Sequence, residues 1–166
     1  MEWLPYDLHP EYPAEGLPRA DLIARHGSGM TDRIGAFFAD RGLPPSNPPA
    51  DIVPRTLTAL RLGELARERG LNTLFHDRLM DAYWAEGLDI GRPDVLRRLS
   101  DEVGLPADGV ESVVSSERYV GVVRESTERA ISIGVTGVPG FLLDGRLLVV
   151  GAHENDVFEQ AFSQLA

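Results

Sequence analysis

Four histidines and one glycine-punctuated loop are the parts of this sequence with chemistry to offer. His9 stands two residues ahead of Glu11, a spacing that can share a cation, but a lone pair without a third ligand is not a metal site. His26 precedes Gly27 and suits the last turn of a helix, where the dipole favours an imidazolium. His76 lies beside Asp77 within a helical pattern and reads as exposed or half-buried. His153 comes just before the last helical pattern, where it either touches a ligand or simply opens the helix. The loop is GVTGVPGFLLDG, residues 134–145: glycines around Val138-Pro139, a short apolar strand, then an Asp-Gly turn. It precedes a strand and does not open a helix, so it is not a phosphate cradle.

No cysteine occurs among the 166 residues. Disulfides, thiolate metal sites and cysteine-nucleophile mechanisms within this chain are therefore excluded. There is no His-Glu-x-x-His, Walker-type or Gly-x-Ser-x-Gly spacing. The acidic residues fall along helices at spacings that suit Lys/Arg pairing and read as a solvated face. A net charge of −10 argues against nucleic-acid or anionic-membrane partners. No apolar run approaches the roughly 20 residues of a membrane span. With no charged-then-apolar leader at its start, the sequence carries a cytoplasmic expectation.

The elements that must position these residues are legible in turn. Residues 2–6, EWLPY, predict a short strand, and DLHPEYPAEGLP after it predicts an extended loop. Helices are expected over 19–27 and 30–41, joined by the five-proline connection 43–54 to a long helical block. In that block Leu62, Leu65 and Ala66 share a face, as do Phe75, Leu79, Ala82 and Tyr83 in a helix capped by Asn72. Pro93 opens a helix striped by Val95, Leu96, Leu99 and Val103. Helices over 107–115 and 117–133 complete the block. Residues 141–143 and 146–150 then predict a hairpin about Asp144-Gly145, apolar enough to be buried on both faces. A last helix over 154–165 turns Val157, Phe158, Ala161, Phe162 and Leu165 to the core.

GVTGVPGFLLDGRLLVVGAHENDVFEQAF resembles the C-terminal end of the DsbA-like thioredoxin-fold family, in its FrnE-type branch. That branch is kin to 2-hydroxychromene-2-carboxylate isomerases and kappa-class glutathione transferases. EWLPYDLHPEYPAEGLP is similar to the family's second strand and the loop after it. The segment from Thr56 to Leu105, with its DAYWAEG turn, is similar to the branch's helical insertion. The resemblance implies an α/β thioredoxin-like fold, incomplete at its N-terminus, in one domain over 1–166. The helical insertion would occupy about 19–133, and 2–6 and 134–166 would be the thioredoxin core.

The family's opening strand and Cys-x-x-Cys helix, or the serine of the isomerase and transferase branches, have no counterpart here, so no catalytic residue is assigned. Gly140 stands where the family commonly has Thr. The resemblance implies a cis bond at Val138-Pro139 and a substrate-binding edge at Gly137, Val138 and Pro139. It also places a ligand loop at Gly151, Ala152 and His153, without the Ser-Asp pair of the glutathione-using branch. No cofactor is expected, glutathione being the one that branch would supply.

The leading expectation is a thiol-disulfide oxidoreductase domain that is redox-inactive as given, with a thiol or disulfide peptide as the partner of the intact family. The alternatives are a glutathione-dependent isomerase or transferase and a non-enzymatic peptide-binding or dimerising module. Loss of the first strand would leave the sheet edge open. That predicts a homodimer across the edge, or an inward shift of residues 2–6 to pair with the hairpin.

Overall fold

A computed structural model describes residues 2–27, 29–43, 45–49 and 51–165. The side chain of His26 lies outside the described residues. The chain starts with an extended segment and a two-residue strand, β1 (Leu17–Pro18), followed by α1 (Arg19–His26) and α2 (Gly29–Asp40). The proline-rich connection contains β2 (Ile52–Val53). Five helices follow: α3 (Leu57–Glu68), α4 (Asn72–Trp84), α5 (Pro93–Glu102), α6 (Ala107–Val114) and α7 (Val120–Ser132). The hairpin β3 (Gly140–Leu143) and β4 (Leu147–Val150) and a final α8 (Asn155–Ser163) end it. No helix among the described residues is long and apolar enough to cross a membrane.

α3 is the hub: it packs against α4, α5, α6 and α7. Its Leu62, Leu65 and Ala66 are fully buried, as are Phe75 and Ala82 of α4 and Leu96 and Leu99 of α5. The helical periodicity therefore predicted the core correctly. Asn72 does not cap α4 from outside. It is the first helical residue, Leu71 is the N-cap, and the Asn72 amide donates to the Gly63 carbonyl at 3.3 Å.

Residues 2–6 are not a strand. A strand needs a neighbour for its backbone groups, and the described residues supply none at this position. The segment instead lies extended against the helical block, its polar groups met by side chains. Ser126 Oγ donates to the Pro5 carbonyl at 2.7 Å, and the Asp7 N–H donates to Thr127 Oγ1 at 2.9 Å. The inward shift of 2–6 to pair with the hairpin does not occur: β3 pairs with β4 alone. Pairing appears instead where loops were expected, Leu17 opposite Val53 and Pro18 opposite Ile52. Gly16 permits this approach, since a Cβ there would sit 2.6 Å from the Val53 carbonyl oxygen.

The hairpin has the expected turn, with Asp144 and Gly145 both at positive φ. Its register is Gly140 to Val150, Phe141 to Val149, Leu142 to Leu148 and Leu143 to Leu147. It is not buried on both faces. Leu142 is 46% exposed, and Val149 alone of the two strands is buried. Two strands with no third beside them offer too little surface to cover either face. The same shortage leaves Phe162 of α8 59% exposed, while Ala161 is buried and Phe158 meets Phe141 edge-on at 4.9 Å.

Trp3 holds the N-terminal segment to α4 by stacking on His76, with ring centroids 4.0 Å apart and planes 15° apart. Burial pushes the His76 imidazole below its ordinary value, against a weaker opposing pull from Asp77. On acidification the unfolded chain therefore takes up this proton first, near the ordinary histidine pKa of about 6.5. The His76 contribution to stability is thus fully present above about pH 6.5 and is lost as pH falls through the lower folded value. Denaturant midpoints measured from about pH 7.5 down to about pH 5 should fall in the wild type and lose most of that slope in His76→Gln. A slope unchanged in the variant would assign it to other groups.

Candidate substrate groove

The loop carrying Val138 starts where α7 stops. Gly134 turns the chain at φ 99°, and the Val135 N–H donates back to the Ala130 carbonyl at 3.0 Å. Val135 is buried and anchors the loop; its side chain lies against Gly140, where a Cβ would come within 3.2 Å of it. The Val138–Pro139 bond is cis. The Pro139 carbonyl accepts from the Gly151 N–H at 2.7 Å, extending the hairpin by one rung. Val138 itself, 53% exposed, lies before the ladder, and its N–H and C=O have no backbone partner among the described residues.

Val138 forms part of the wall of a groove of about 320 Å3. That is at the lower end of the roughly 300–1,000 Å3 of small-ligand sites. Leu8, His9 and Tyr12 come from the N-terminal segment, and Val53, Pro54, Arg55 and Thr56 from the entry to α3. Met80, Tyr83 and Trp84 come from α4, with Ile90 behind it. The lining is mainly apolar and aromatic. Tyr83 and Trp84 meet edge-on at 4.8 Å, and Phe38 of α2 backs Trp84 at 5.7 Å.

Beside this groove sits an ion pair. The Arg55 guanidinium donates through both terminal nitrogens to the two Asp7 carboxylate oxygens, at 2.7 and 2.6 Å. The His9 Nδ1 is 3.0 Å from Glu11 Oε1, and the His9 ring stacks on Tyr12 with centroids 4.3 Å apart. The Glu11 carboxyl is held below its ordinary value, first by a backbone hydrogen bond and then by His9. Burial pushes the Tyr12 phenol up.

The structure brings Val138 into the groove, with Gly137 and Pro139 flanking it in the chain. It does not bring His153 there. That ring is exposed, its Nε2 lies 2.9 Å from the Val150 carbonyl, and it packs beside Gly151. Among the described residues no three His, Cys, Asp or Glu side chains converge as a metal site. Sequence reasoning missed most of the groove. Met80 and Trp84, at i and i+4, form a second stripe beside the core stripe of α4 to which Tyr83 belongs, which is a legible signal. Tyr12 carried none, lying in a segment that reads as a loop, and Arg55 stood only as the first residue of the helical pattern.

A family model of the DSBA-like thioredoxin domain matches residues 1–163. The uncharacterized protein YwbO of Bacillus subtilis (strain 168) is 28% identical over 164 residues, covering 98% of this chain and 80% of that protein. The crystal structure of a probable DsbA oxidoreductase from Streptomyces coelicolor superposes with a TM-score of 0.81 at 27% identity, covering 96% of this chain and 72% of the other. Helical block, Val138 loop, hairpin and last helix thus make up a thioredoxin-like α/β fold with a helical insertion. The chain belongs to the family of DSBA-like thioredoxin domains.

Proposed function

We propose that this chain is the peptide-holding part of a FrnE-type thiol-disulfide oxidoreductase domain and that it performs no thiol exchange by itself. The observation that carries the reading is Val138, whose backbone groups have no partner among the described residues and lie beside an aromatic groove. An extended peptide can hydrogen-bond to the Val138 N–H and C=O while one of its apolar side chains enters between Met80, Tyr83 and Trp84. The exchange itself needs a thiolate, and the chain has no cysteine to supply one. A glutathione-dependent reaction is less well supported, because the His153 ring is engaged with the Val150 carbonyl away from the groove.

The purified chain should reduce no insulin disulfides above background. It should nevertheless bind a short peptide with one cysteine flanked by aromatic residues. Binding is read from Trp84 emission in a Trp3→Phe background, since Trp3 is the other tryptophan. Trp84→Ala, followed by calorimetry, should weaken binding about tenfold, as loss of an aromatic contact of about 1.4 kcal/mol implies. Turnover of insulin, or no saturable binding, would refute the reading.

A further inference from the structure

We propose that His9, held by Glu11, is the proton acceptor for a thiol seated in the groove beside Val138. The proposal rests on the reading of the groove as a site for a cysteine-bearing peptide.

Two contacts fix the His9 ring: the 3.0 Å contact from Nδ1 to Glu11 Oε1 and the stack on Tyr12, whose planes are only 3° apart. An ionised carboxylate only accepts hydrogen bonds, so Nδ1 carries the ring hydrogen and Nε2 is left as the basic nitrogen. Among the described residues Nε2 has no hydrogen-bond partner. The low-lying Glu11 carboxyl is ionised at neutral pH and stabilises the imidazolium once His9 accepts a proton.

No other group lining the groove can do this work. Arg55 is always charged and is occupied by Asp7. The Tyr12 phenol is pushed up by burial and stays neutral. Tyr83 and Thr56 offer only hydroxyls, which are far poorer proton acceptors than an imidazole nitrogen. The remaining lining residues are apolar. The groove lining therefore holds one imidazole, that of His9, and a neighbouring carboxylate orients it.

The step is a proton transfer. The thiol S–H bond breaks, its electron pair stays on sulfur, and the proton passes to Nε2. No bond between heavy atoms changes. The result is a thiolate beside an imidazolium, an arrangement that lowers a thiol pKa.

Because the chain has no cysteine, thiolate ultraviolet absorbance reports only on the thiol of an added peptide. The probe is the aromatic-flanked peptide with one cysteine, blocked at both ends, at saturating protein. Its thiol should titrate at least about one pH unit below the free peptide, which is about tenfold more thiolate near neutrality. His9→Gln should abolish the shift and Glu11→Gln should reduce it. Occupancy is matched beforehand with the serine analogue of the peptide, and folding is checked by circular dichroism. Binding with an ordinary titration, or a shift that survives in His9→Gln, overturns the role of His9 and leaves the groove reading standing. Absence of peptide binding overturns both.

Discussion

Asp7→Ala is expected to destabilise the protein by about 3–5 kcal/mol, far more than loss of a surface ion pair. The Arg55 and Asp7 side chains are only 12% and 10% exposed, so the pair is shielded from water on most sides. Removing the carboxylate strands a guanidinium that made two short bonds to it. Asp7 is also a junction. Its backbone N–H is bound to Thr127, and Thr127 Oγ1 in turn donates to the Val123 carbonyl within α7. The N-terminal segment, the start of α3 and α7 therefore meet at one residue. A double variant, Asp7→Ala with Arg55→Met, should recover a large part of the loss, since no uncompensated charge remains. Urea unfolding checks both. A cost under about 1 kcal/mol for Asp7→Ala would show that the pair behaves as a solvated one.

Arg61→Ala should cost about 3 kcal/mol or more. Arg61 is 5% exposed, and its guanidinium serves three carbonyls: Val113, Ser116 and Arg118. These lie at the C-terminal end of α6 and in the turn to α7, where helix geometry leaves carbonyls without partners. Burial lowers the Arg61 pKa, yet guanidinium remains charged at any ordinary pH. Each hydrogen bond from a charged donor contributes about 1.5–3 kcal/mol, and the three are not additive. Arg61→Lys keeps the charge but lacks the planar fork, so it should recover less than half of the loss in urea unfolding. A lysine variant as stable as wild type would mean that charge alone caps this turn.

The helical block was readable because its information is local. Leu62 and Leu65, or Leu96 and Leu99, repeat within one helix, and burial of that stripe needs only another stripe. Strand 2–6 and the outer face of α8 were misread for one reason. The apolar residues of EWLPY and the apolar stripe through Phe162 say which residues of an element could be buried, not whether anything lies against them. The groove shows the same limit. Val138 was legible through the resemblance, whereas His9 and Tyr12, in a proline-rich loop, meet Arg55, at the start of the helical pattern, across more than 40 positions. The Asp7–Arg55 pair spans 48 positions and leaves no periodic trace.

The continuous core runs from Ala59 to Val113, and neither the hairpin nor α8 contributes a residue to it. The Val138 loop, the hairpin and α8 bury Val135, Val149 and Ala161 separately. Cooperativity is therefore uneven. The helical block is expected to behave as one foldon and the Val138 loop with its hairpin as a second, opening first in native-state hydrogen exchange. The groove has walls in both. A ligand spanning Val138 and α4 recognises only molecules in which the second foldon is closed, so its apparent affinity is scaled by that closed fraction. By the same linkage, occupancy protects the hairpin from opening by RT ln(1 + [L]/Kd). A peptide bound as proposed would thus tether two units that the chain's own packing couples only weakly.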